Sequence, residues 1–561
     1  MGFISLLLLI SGASAGTLMI RRDDRDLITV MAIPFAVALF GVFAVIRLFI
    51  WKTAPNQALL VILALVVIAA AVTSWGTLLG SIWNPRFLIP IALVFTFTSA
   101  YVTLSLDPPG ITPYARTFFW NPVKILGADD HLQYRTAQFV YNRLDVQTEN
   151  FYYQWTITDR TPLAGLAFSE FVRTIGKSLP KTPLYGLPQN LQGWRIPDPY
   201  SYWLYRLFIM LANASVIGAV GYLALKRFGR RVSSIAMGVA VVMPFTLLQV
   251  MMSYPKMLVA AYLVVALAIL MDDGPLWLSG ALAGLAYLTH PMALLYLPAM
   301  GVILIAKRFG VKKAAMRAVA WLVPIVILAG AWHVWALGTG ISSSRTLLYP
   351  LGAYTESADP QEVQRVKDQA VRQLREHPFE RIVEVRAVSF ESTFLSVPDF
   401  RCRGLPRNEM LYCLTTWTIP GALGFGFVAL AYVGLFMISR SKPRHWLYIG
   451  ATVPFLTLLM WGIDGRGLVP EFLHPFWAML IPLGAWLLTM TRRFWSILVV
   501  ASLCAQGLLV ARLSFDYPTK FADDGIGLLG YLMFFAAALG CAAYGLASAA
   551  SPADAAPEAI P

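Results

Sequence analysis

The sequence predicts an all-helical polytopic membrane protein, and two observations support this fold class. Hydrophobic residues make up 58% of the 561 residues and charged residues only 13%, unlike the composition of a soluble globular domain. Apolar runs of about 20 residues, long enough to cross a bilayer core as a helix, recur along nearly the whole chain, giving about 13 to 15 spans. The runs lie near residues 2–20, 28–51, 57–81, 86–106, 203–225, 231–252, 255–271, 275–290, 291–306, 318–338, 417–438, 446–462, 471–490, 494–512 and 526–547.

Two long polar segments divide these spans into blocks. In chain order, the predicted parts are N-terminal helices at 1–85, one helix at 86–106, a first polar segment at 107–201, a central bundle at 202–338, a second polar segment at 339–416, C-terminal helices at 417–547 and a tail at 548–561. The tail is rich in Ala and Pro and is predicted to be disordered and cytoplasmic.

The orientation follows from Lys and Arg in the short connections, because basic loops stay on the cytoplasmic side. If the spans alternate, the basic clusters share one side and both long polar segments lie outside. The clusters are Arg21, Arg22 and Arg25; Lys226, Arg227, Arg230 and Arg231; Lys307, Arg308, Lys312, Lys313 and Arg317; Arg440, Lys442 and Arg444; and Arg492 and Arg493. The net charge of +14 therefore requires no nucleic-acid partner.

The N-terminal apolar run ends in Ala13-Ser14-Ala15, which fits a signal-peptidase site. Removal of this run would export the Arg21 to Arg25 cluster and reverse the side of every later loop. We therefore interpret it as a first span whose N-terminus lies outside.

The first outer segment opens with two adjacent carboxylates, Asp129 and Asp130. Two neighbouring carboxylates repel each other, which can raise the proton affinity of one of them. A carboxylate beside an alcohol acceptor can act as a general base. The structural alternative is that Asp130 caps a helix, with Gln133 three residues later in a capping box.

A helix along the membrane surface is predicted behind this pair, from the apolar spacing of Leu132, Thr136, Phe139, Val140 and Leu144. Another acid follows in the sequence Thr158-Asp159-Arg160-Thr161-Pro162. Asp159 could orient an acceptor or bind a metal. Equally, Asp159 could pair with Arg160 while Thr161 caps a helix that begins at Pro162.

The second outer segment contains an amphipathic helix, predicted over 361–375 and interrupted by Pro378. Cys402 and Cys413 lie later in the same segment. They can form a disulfide if this side is oxidising, as in a periplasm, and otherwise are free thiols.

Isolated cations lie at the predicted outer ends of several spans: Lys256, His290, Arg466 and His474. Lys256 follows Tyr254-Pro255, where the orientation rule disfavours a cation. Glycines flank Arg466, which allows close approach of a ligand. The ordinary alternatives are a snorkelling lysine, structural histidines and a solvated turn.

The pattern resembles the C-type integral-membrane glycosyltransferases (the GT-C superfamily), particularly the bacterial relatives of protein O-mannosyltransferase and of lipid A aminoarabinose transferase. The resemblance covers roughly residues 86–480. It depends on the many spans, on the acidic pair early in a long outer segment, and on short Tyr-Pro-Lys and Thr-His-Pro loops. It implies a GT-C-like bundle with two long outer loops that carry surface helices.

The resemblance also implies inverting transfer of a sugar from a polyprenyl-phosphate or polyprenyl-diphosphate donor to a lipid, glycan or protein acceptor. The reaction would take place on the periplasmic face of a bacterial inner membrane. Asp129 would be the base, and Asp130 and Asp159 are the further catalytic candidates. Lys256, His290, Arg466 and His474 would neutralise the departing phosphate. No particular cofactor follows from the resemblance: a carboxylate pair can act with or without Mg²⁺ or Mn²⁺, and the pre-activated carrier makes ATP and a nucleotide sugar unnecessary.

Two other functions remain open from the sequence. A transporter or lipid flippase would place ionisable groups in the middle of its spans. A polymerase or ligase of lipid-linked polysaccharides would use Arg and His in a late outer loop, a reading that Arg401, Arg403 and Arg407 support.

Overall fold

The regular elements of the described part of the chain are all helices. This computed structural model describes residues 25–45, 47, 84–104, 129–146, 157–159, 161–181, 199–251, 254–306, 310–339, 360–395, 423–439, 445–460, 473–491, 497, 499 and 501–503. The α-helices are α1 Arg25–Val45, α2 Pro85–Leu104, α3 Asp129–Asn142, α4 Leu163–Thr174, α5 Pro199–Ala214, α6 Val216–Val242, α7 Pro244–Met251, α8 Lys256–Met271, α9 Leu276–Thr289, α10 Leu297–Ala306, α11 Val311–Gly338, α12 Pro360–Glu376, α13 Phe379–Leu395, α14 Phe425–Ser439, α15 His445–Met460 and α16 His474–Met490. Short 3₁₀ helices lie at Ile157–Asp159 and Pro291–Leu295. The predicted all-helical fold class is confirmed.

Three stretches of the described helices are long and apolar enough to cross a membrane: Asp26–Val45, Tyr200–Val242 and Val311–Gly338. The second of these folds back on itself inside α6, because Gly229 has φ 80° and ψ −179°, a backbone conformation that favours glycine. Ser233 then donates a hydrogen bond to the carbonyl of Gly221 across the two halves (2.7 Å). The predicted spans near 203–225 and 231–252 are therefore separate helices.

The predicted span near 231–252 is not continuous. Met243 has an extended conformation, with φ −69° and ψ 126°, and Pro244 opens α7. The proline ring disfavours the helical conformation of the residue before it and removes a backbone donor, so the helix breaks there. The consequence is a short eight-residue helix leading to the turn at Tyr254.

Ion pairs gather at one end of the bundle, which we call the basic end. Arg227 lies 3.3 Å from Asp272, and Arg317 lies 2.7 Å from Asp273. Both acids belong to the turn between α8 and α9. The clusters around 226–231 and 312–317 thus lie at the same end, as alternation of the spans predicts; its cytoplasmic orientation stays a prediction.

Helix α8 is the centre of the bundle, since every residue from Lys256 to Met271 is buried. Its neighbour α9 packs closely on α11. A Cβ atom at Gly280 would lie 2.0 Å from the carbonyl oxygen of Trp321, so only glycine fits this crossing.

Helix α3 lies where the sequence predicts a helix, and its residues 132–139 are all buried against other parts of the protein. Its position along the membrane surface stays a prediction. Its Tyr134 packs against Phe168 of α4 and against Tyr202 and Tyr205 of α5. On another side, Leu132 and Phe139 form a cluster to which Trp335 of α11 adds. The partners that enclose α3 are distant in sequence, so the apolar spacing alone does not reveal them.

Two predicted capping contacts in this segment, those of Gln133 and Thr161, are wrong. The amide of Gln133 donates to the carbonyl of Thr161 (2.8 Å) and accepts from the backbone N–H of Gly165 (3.1 Å), so it tethers α3 to α4 instead of completing a capping box. Helix α3 already begins at Asp129, which places Asp130 inside the first turn. Thr161 Oγ1 is buried without a hydrogen-bond partner among the described residues, and α4 begins at Leu163 without a side-chain cap.

Helix α4 is anchored beyond the end of α1 by an ion pair whose carboxylate is buried. Arg47 donates to Glu170 from Nε (2.9 Å) and from Nη2 (2.6 Å), and Glu170 is 1% exposed. A bidentate Arg–carboxylate pair of this kind fixes orientation as well as position. Helix α4, in the first long polar segment, is thereby packed onto the bundle.

The amphipathic helix of the second outer segment is present as α12, and the chain breaks at Pro378 before α13, as predicted. Val363 and Ala370 on its apolar face are buried. Arg365 donates to Glu362, and this hydrogen bond lowers the pKa of the Glu362 carboxyl. Outside the described residues lie Cys402, Cys413, Arg401, Arg403 and Arg407, and the predicted spans near 2–20, 57–81 and 526–547.

Candidate functional site

A buried lysine lies at the turn between α7 and α8. Lys256 is the first residue of α8 and is only 6% exposed. Its Nζ lies 4.7 Å from the centroid of the Tyr254 ring, a cation–π contact. The N-terminus of a helix already carries partial positive charge, so a buried ammonium at this position is unfavourable on both counts. Both positive groups favour an anion at this turn.

His290 meets the same tyrosine from the end of α9. Its Nε2 lies 2.6 Å from Tyr254 Oη, and its Nδ1 accepts from the backbone N–H of Met292 at 3.1 Å. Because Nδ1 accepts, the ring proton of the neutral histidine is on Nε2, which donates to the tyrosine oxygen. The structure therefore brings the predicted residues Lys256 and His290 together around Tyr254.

Two polar side chains of α5 reach the same turn. Arg206 Nη2 donates to the carbonyl of Met251 (2.9 Å), and Asn213 Nδ2 donates to the carbonyl of Tyr254 (3.0 Å). Asn213 is a site residue that the sequence alone did not reveal. Its signal in the sequence is an amide inside an otherwise apolar span, where a polar side chain usually bonds to a neighbouring helix.

The structure places His474 in an aromatic cluster. Its ring stacks on Phe245 with centroids 5.0 Å apart and meets Trp477 edge-on at 5.1 Å. Phe245 lies in the first turn of α7. The end of α7 is about 9 Å further along the helix axis, and Lys256 lies beyond that end. These contacts place His474 beside the start of α7.

The acidic candidates are placed by their backbone alone. Asp129 and Asp130 open α3, and Asp159 ends the 3₁₀ helix Ile157–Asp159. Their carboxylates lie outside the described residues, as does all of Arg466. Helix α3 is held on α5 by Tyr134, whose hydroxyl lies 2.5 Å from Ser201 Oγ.

A second tyrosine–histidine pair lies one turn before His290. Tyr287 Oη is 2.6 Å from Nε2 of His333 on α11. Near the same end of α11, Trp335 packs into the Leu132 and Phe139 cluster of α3. Helix α11 thus connects α3, which begins with the acidic pair, to α9, which ends at His290.

No group of three or more His, Cys, Asp or Glu residues within the described ranges could hold a metal ion. The candidates for metal binding are Asp129, Asp130 and Asp159, whose carboxylates the structure leaves undescribed. A requirement for Mg²⁺ or Mn²⁺ therefore stays a prediction.

No protein-family model matches the chain, and neither does the sequence of any curated protein. Solved structures do show similarity. ArnT from Cupriavidus metallidurans bound to undecaprenyl phosphate is 13% identical, with a TM-score of 0.43, over 83% of this chain and 79% of ArnT. The archaeal oligosaccharyltransferase AglB from Archaeoglobus fulgidus, in complex with an inhibitory peptide and a dolichol-phosphate, is 13% identical, with a TM-score of 0.41, over 82% of this chain and 56% of AglB.

Proposed function

We propose that the protein is an integral-membrane glycosyltransferase that uses a polyprenyl-phosphate or polyprenyl-diphosphate sugar donor. The observation that carries the proposal is the buried group of Lys256, Tyr254 and His290 at a turn between apolar helices. An ionisable residue inside a membrane bundle usually marks a substrate path or site. A phosphate with a long lipid tail fits both features, because its charge can bind the ammonium while its tail lies among apolar helices.

The proposed reaction is a single displacement at the anomeric carbon. A carboxylate, Asp129, takes the proton of the acceptor hydroxyl, and the acceptor oxygen forms a bond to the sugar as the bond to the phosphate oxygen breaks. The electron pair leaves with the lipid phosphate, and Lys256, Arg466 and the His290 group stabilise its charge. A single displacement inverts the anomeric configuration. Because the donor is already activated, the reaction needs no ATP.

The proposal places the reaction at the end of the bundle opposite the basic end. Lys256 and His290 lie at turns one helix length away from Asp272 and Asp273. If the basic end is cytoplasmic, the site faces the exterior, which is the periplasm in a bacterial inner membrane. The acceptor class stays open among lipid, glycan and protein.

The test replaces Asp129 by Asn and measures lipid-linked sugars by mass spectrometry in cells with equal membrane levels of each protein. Loss of a general base lowers the rate about 10²–10⁴-fold, so one polyprenyl-linked sugar should accumulate and be identified as the donor. Asp145→Asn is the matched control, because Asp145 is an exposed carboxylate later in the same segment.

Three outcomes separate the proposal from its rivals. Accumulation with Asp129→Asn alone supports the transferase. No change in any carrier lipid contradicts it and favours transport. Normal transfer with Asp129→Asn, combined with loss on substitution of Arg401 or Arg403, favours a polysaccharide polymerase or ligase.

A further inference from the structure

Helix α5 crosses the break between α7 and α8 with two buried polar side chains. Arg206 is 2% exposed and Asn213 is fully buried. They are seven residues apart, so they lie on the same face of α5, about 10 Å apart along its axis. Both side chains reach backbone groups at the break.

Asn213 binds both sides of this break. Its Nδ2 donates to the carbonyls of Tyr254 (3.0 Å) and Gln249 (3.4 Å), and its Oδ1 accepts from the backbone N–H of Leu258 (3.2 Å). Leu258 is in the first turn of α8, where backbone N–H groups have no partner within the helix. One carboxamide thus satisfies groups at the end of α7 and at the start of α8.

Arg206 holds the other side of the gap. Its Nη2 donates to the carbonyl of Met251, the last residue of α7, at 2.9 Å. Backbone groups in an apolar environment need such partners, since an unpaired one costs several kcal/mol. The two α5 side chains therefore hold the chain at both ends of residues 251–254.

We propose that Asn213 and Arg206 are positioning residues that fix the Tyr254–Lys256 turn for phosphate binding. The identity of the ligand rests on the function proposed above, whereas the positioning is a property of the unliganded protein. Tyr254 is held at two points, by Asn213 at its carbonyl and by His290 at its hydroxyl. The ammonium of Lys256 lies over the ring between them, so displacement of the turn displaces the ammonium.

The carboxamide of Asn213 can be changed to a carboxylate of nearly the same size. Asn213→Asp keeps the size of the side chain but removes both N–H donors and turns a negative oxygen toward the carbonyls of Tyr254 and Gln249. Arg206→Lys keeps the charge but shortens the reach, and serves as a second, milder variant. Ser279→Ala is the matched control. Ser279 is fully buried and donates to the carbonyl of Ala266 in α8 (2.8 Å), and Ala266 is ten residues away from Lys256.

The first experiment measures how fast Lys256 reacts with a water-soluble acylating reagent in the full-length protein in detergent, by peptide mass spectrometry. The exposed Lys177 is the internal reference. We expect Asn213→Asp to raise the rate at Lys256 about tenfold, the effect of losing one or two buried hydrogen bonds, with a smaller rise for Arg206→Lys and none for Ser279→Ala. Unchanged rates in both α5 variants, or an equal rise with Ser279→Ala, would overturn the proposal.

The second experiment measures binding of undecaprenyl phosphate to the folded fraction of each protein. Asn213→Asp should weaken binding about tenfold relative to Ser279→Ala. Lys256→Met, measured in parallel, tests whether this site binds the phosphate. If Lys256→Met binds normally, the proposed function fails at this site, whereas the acylation rates still decide whether Asn213 and Arg206 position the turn.

Discussion

Lys256 combines two unfavourable positions, a buried one and a helix N-terminus. Burial penalises a charged ammonium, and the partial positive charge of the first turn of α8 adds to that penalty. The ring of Tyr254 offsets part of it through the cation–π contact. In the proposed function, this charge binds the lipid phosphate.

Replacement of Lys256 by Met should therefore separate binding from stability. The unliganded variant should still fold, because Met has a similar length and suits the buried position, and the midpoint of thermal unfolding measures what the protein loses with the ammonium. The same change should weaken binding of undecaprenyl phosphate by about 1.5–3 kcal/mol, since a hydrogen bond to a charged group is lost. Calorimetry or fluorescence-monitored unfolding, with a binding titration, measures both quantities.

Lys177→Met is the control for this substitution. Lys177 also lies over a tyrosine ring, 5.6 Å from the centroid of Tyr200, but it is exposed. It should change neither the unfolding midpoint nor the affinity appreciably. A lower midpoint in Lys256→Met with normal affinity would mean that the lysine is structural.

The residues of the site differ in how far the sequence reveals them. Lys256 and His290 are visible as polar residues at the ends of apolar runs, which the span alternation assigns to one level. Asn213 is not, because its role depends on two backbone carbonyls and one N–H that belong to other helices. A polar residue inside a span indicates an interhelical bond but does not identify its partner.

At the scale of the elements, apolar runs predict where helices occur but not what packs around each helix. Helices α8 and α9 match their predicted spans to within one residue at each end, whereas α11 begins seven residues before its predicted span. Helix α3 has the predicted position but is buried on several sides, because Tyr134 and Leu132 meet α4, α5 and α11, which are remote in sequence. The break at Met243 was available in principle from Pro244, whose effect on the preceding residue is local.

The crossing of α9 and α11 gives a prediction at this scale. Gly280→Ala should lower stability by about 1–3 kcal/mol, because the added Cβ atom would meet the Trp321 carbonyl, and backbone cannot move aside as a flexible side chain can. The thermal unfolding midpoint in detergent measures the effect. Gly301→Ala in α10 is the control, since a Cβ atom there has no neighbour within 4 Å. Equal midpoints for the two variants would contradict the close crossing.

At the scale of the whole molecule, the two ends of the bundle carry different sets of charged groups. The pairs of Arg227 with Asp272 and of Arg317 with Asp273 neutralise part of the basic end and tie the turn between α8 and α9 to α6 and α11. The opposite end carries the Lys256 and His290 group. The proposed reaction is external only if this polarity has the predicted orientation in the membrane.

Site-directed labelling can decide that orientation in intact cells. Lys312 is exposed near the basic end and Lys177 is exposed in the first outer segment, so each can be replaced by Cys in a variant whose four native cysteines are changed to Ala. A membrane-impermeant maleimide should label Lys177→Cys in intact cells and Lys312→Cys only after permeabilisation, because basic connections remain cytoplasmic. The reverse pattern would place the Lys256 site in the cytoplasm, where nucleotide sugars are available, and would remove the reason for a polyprenyl-linked donor.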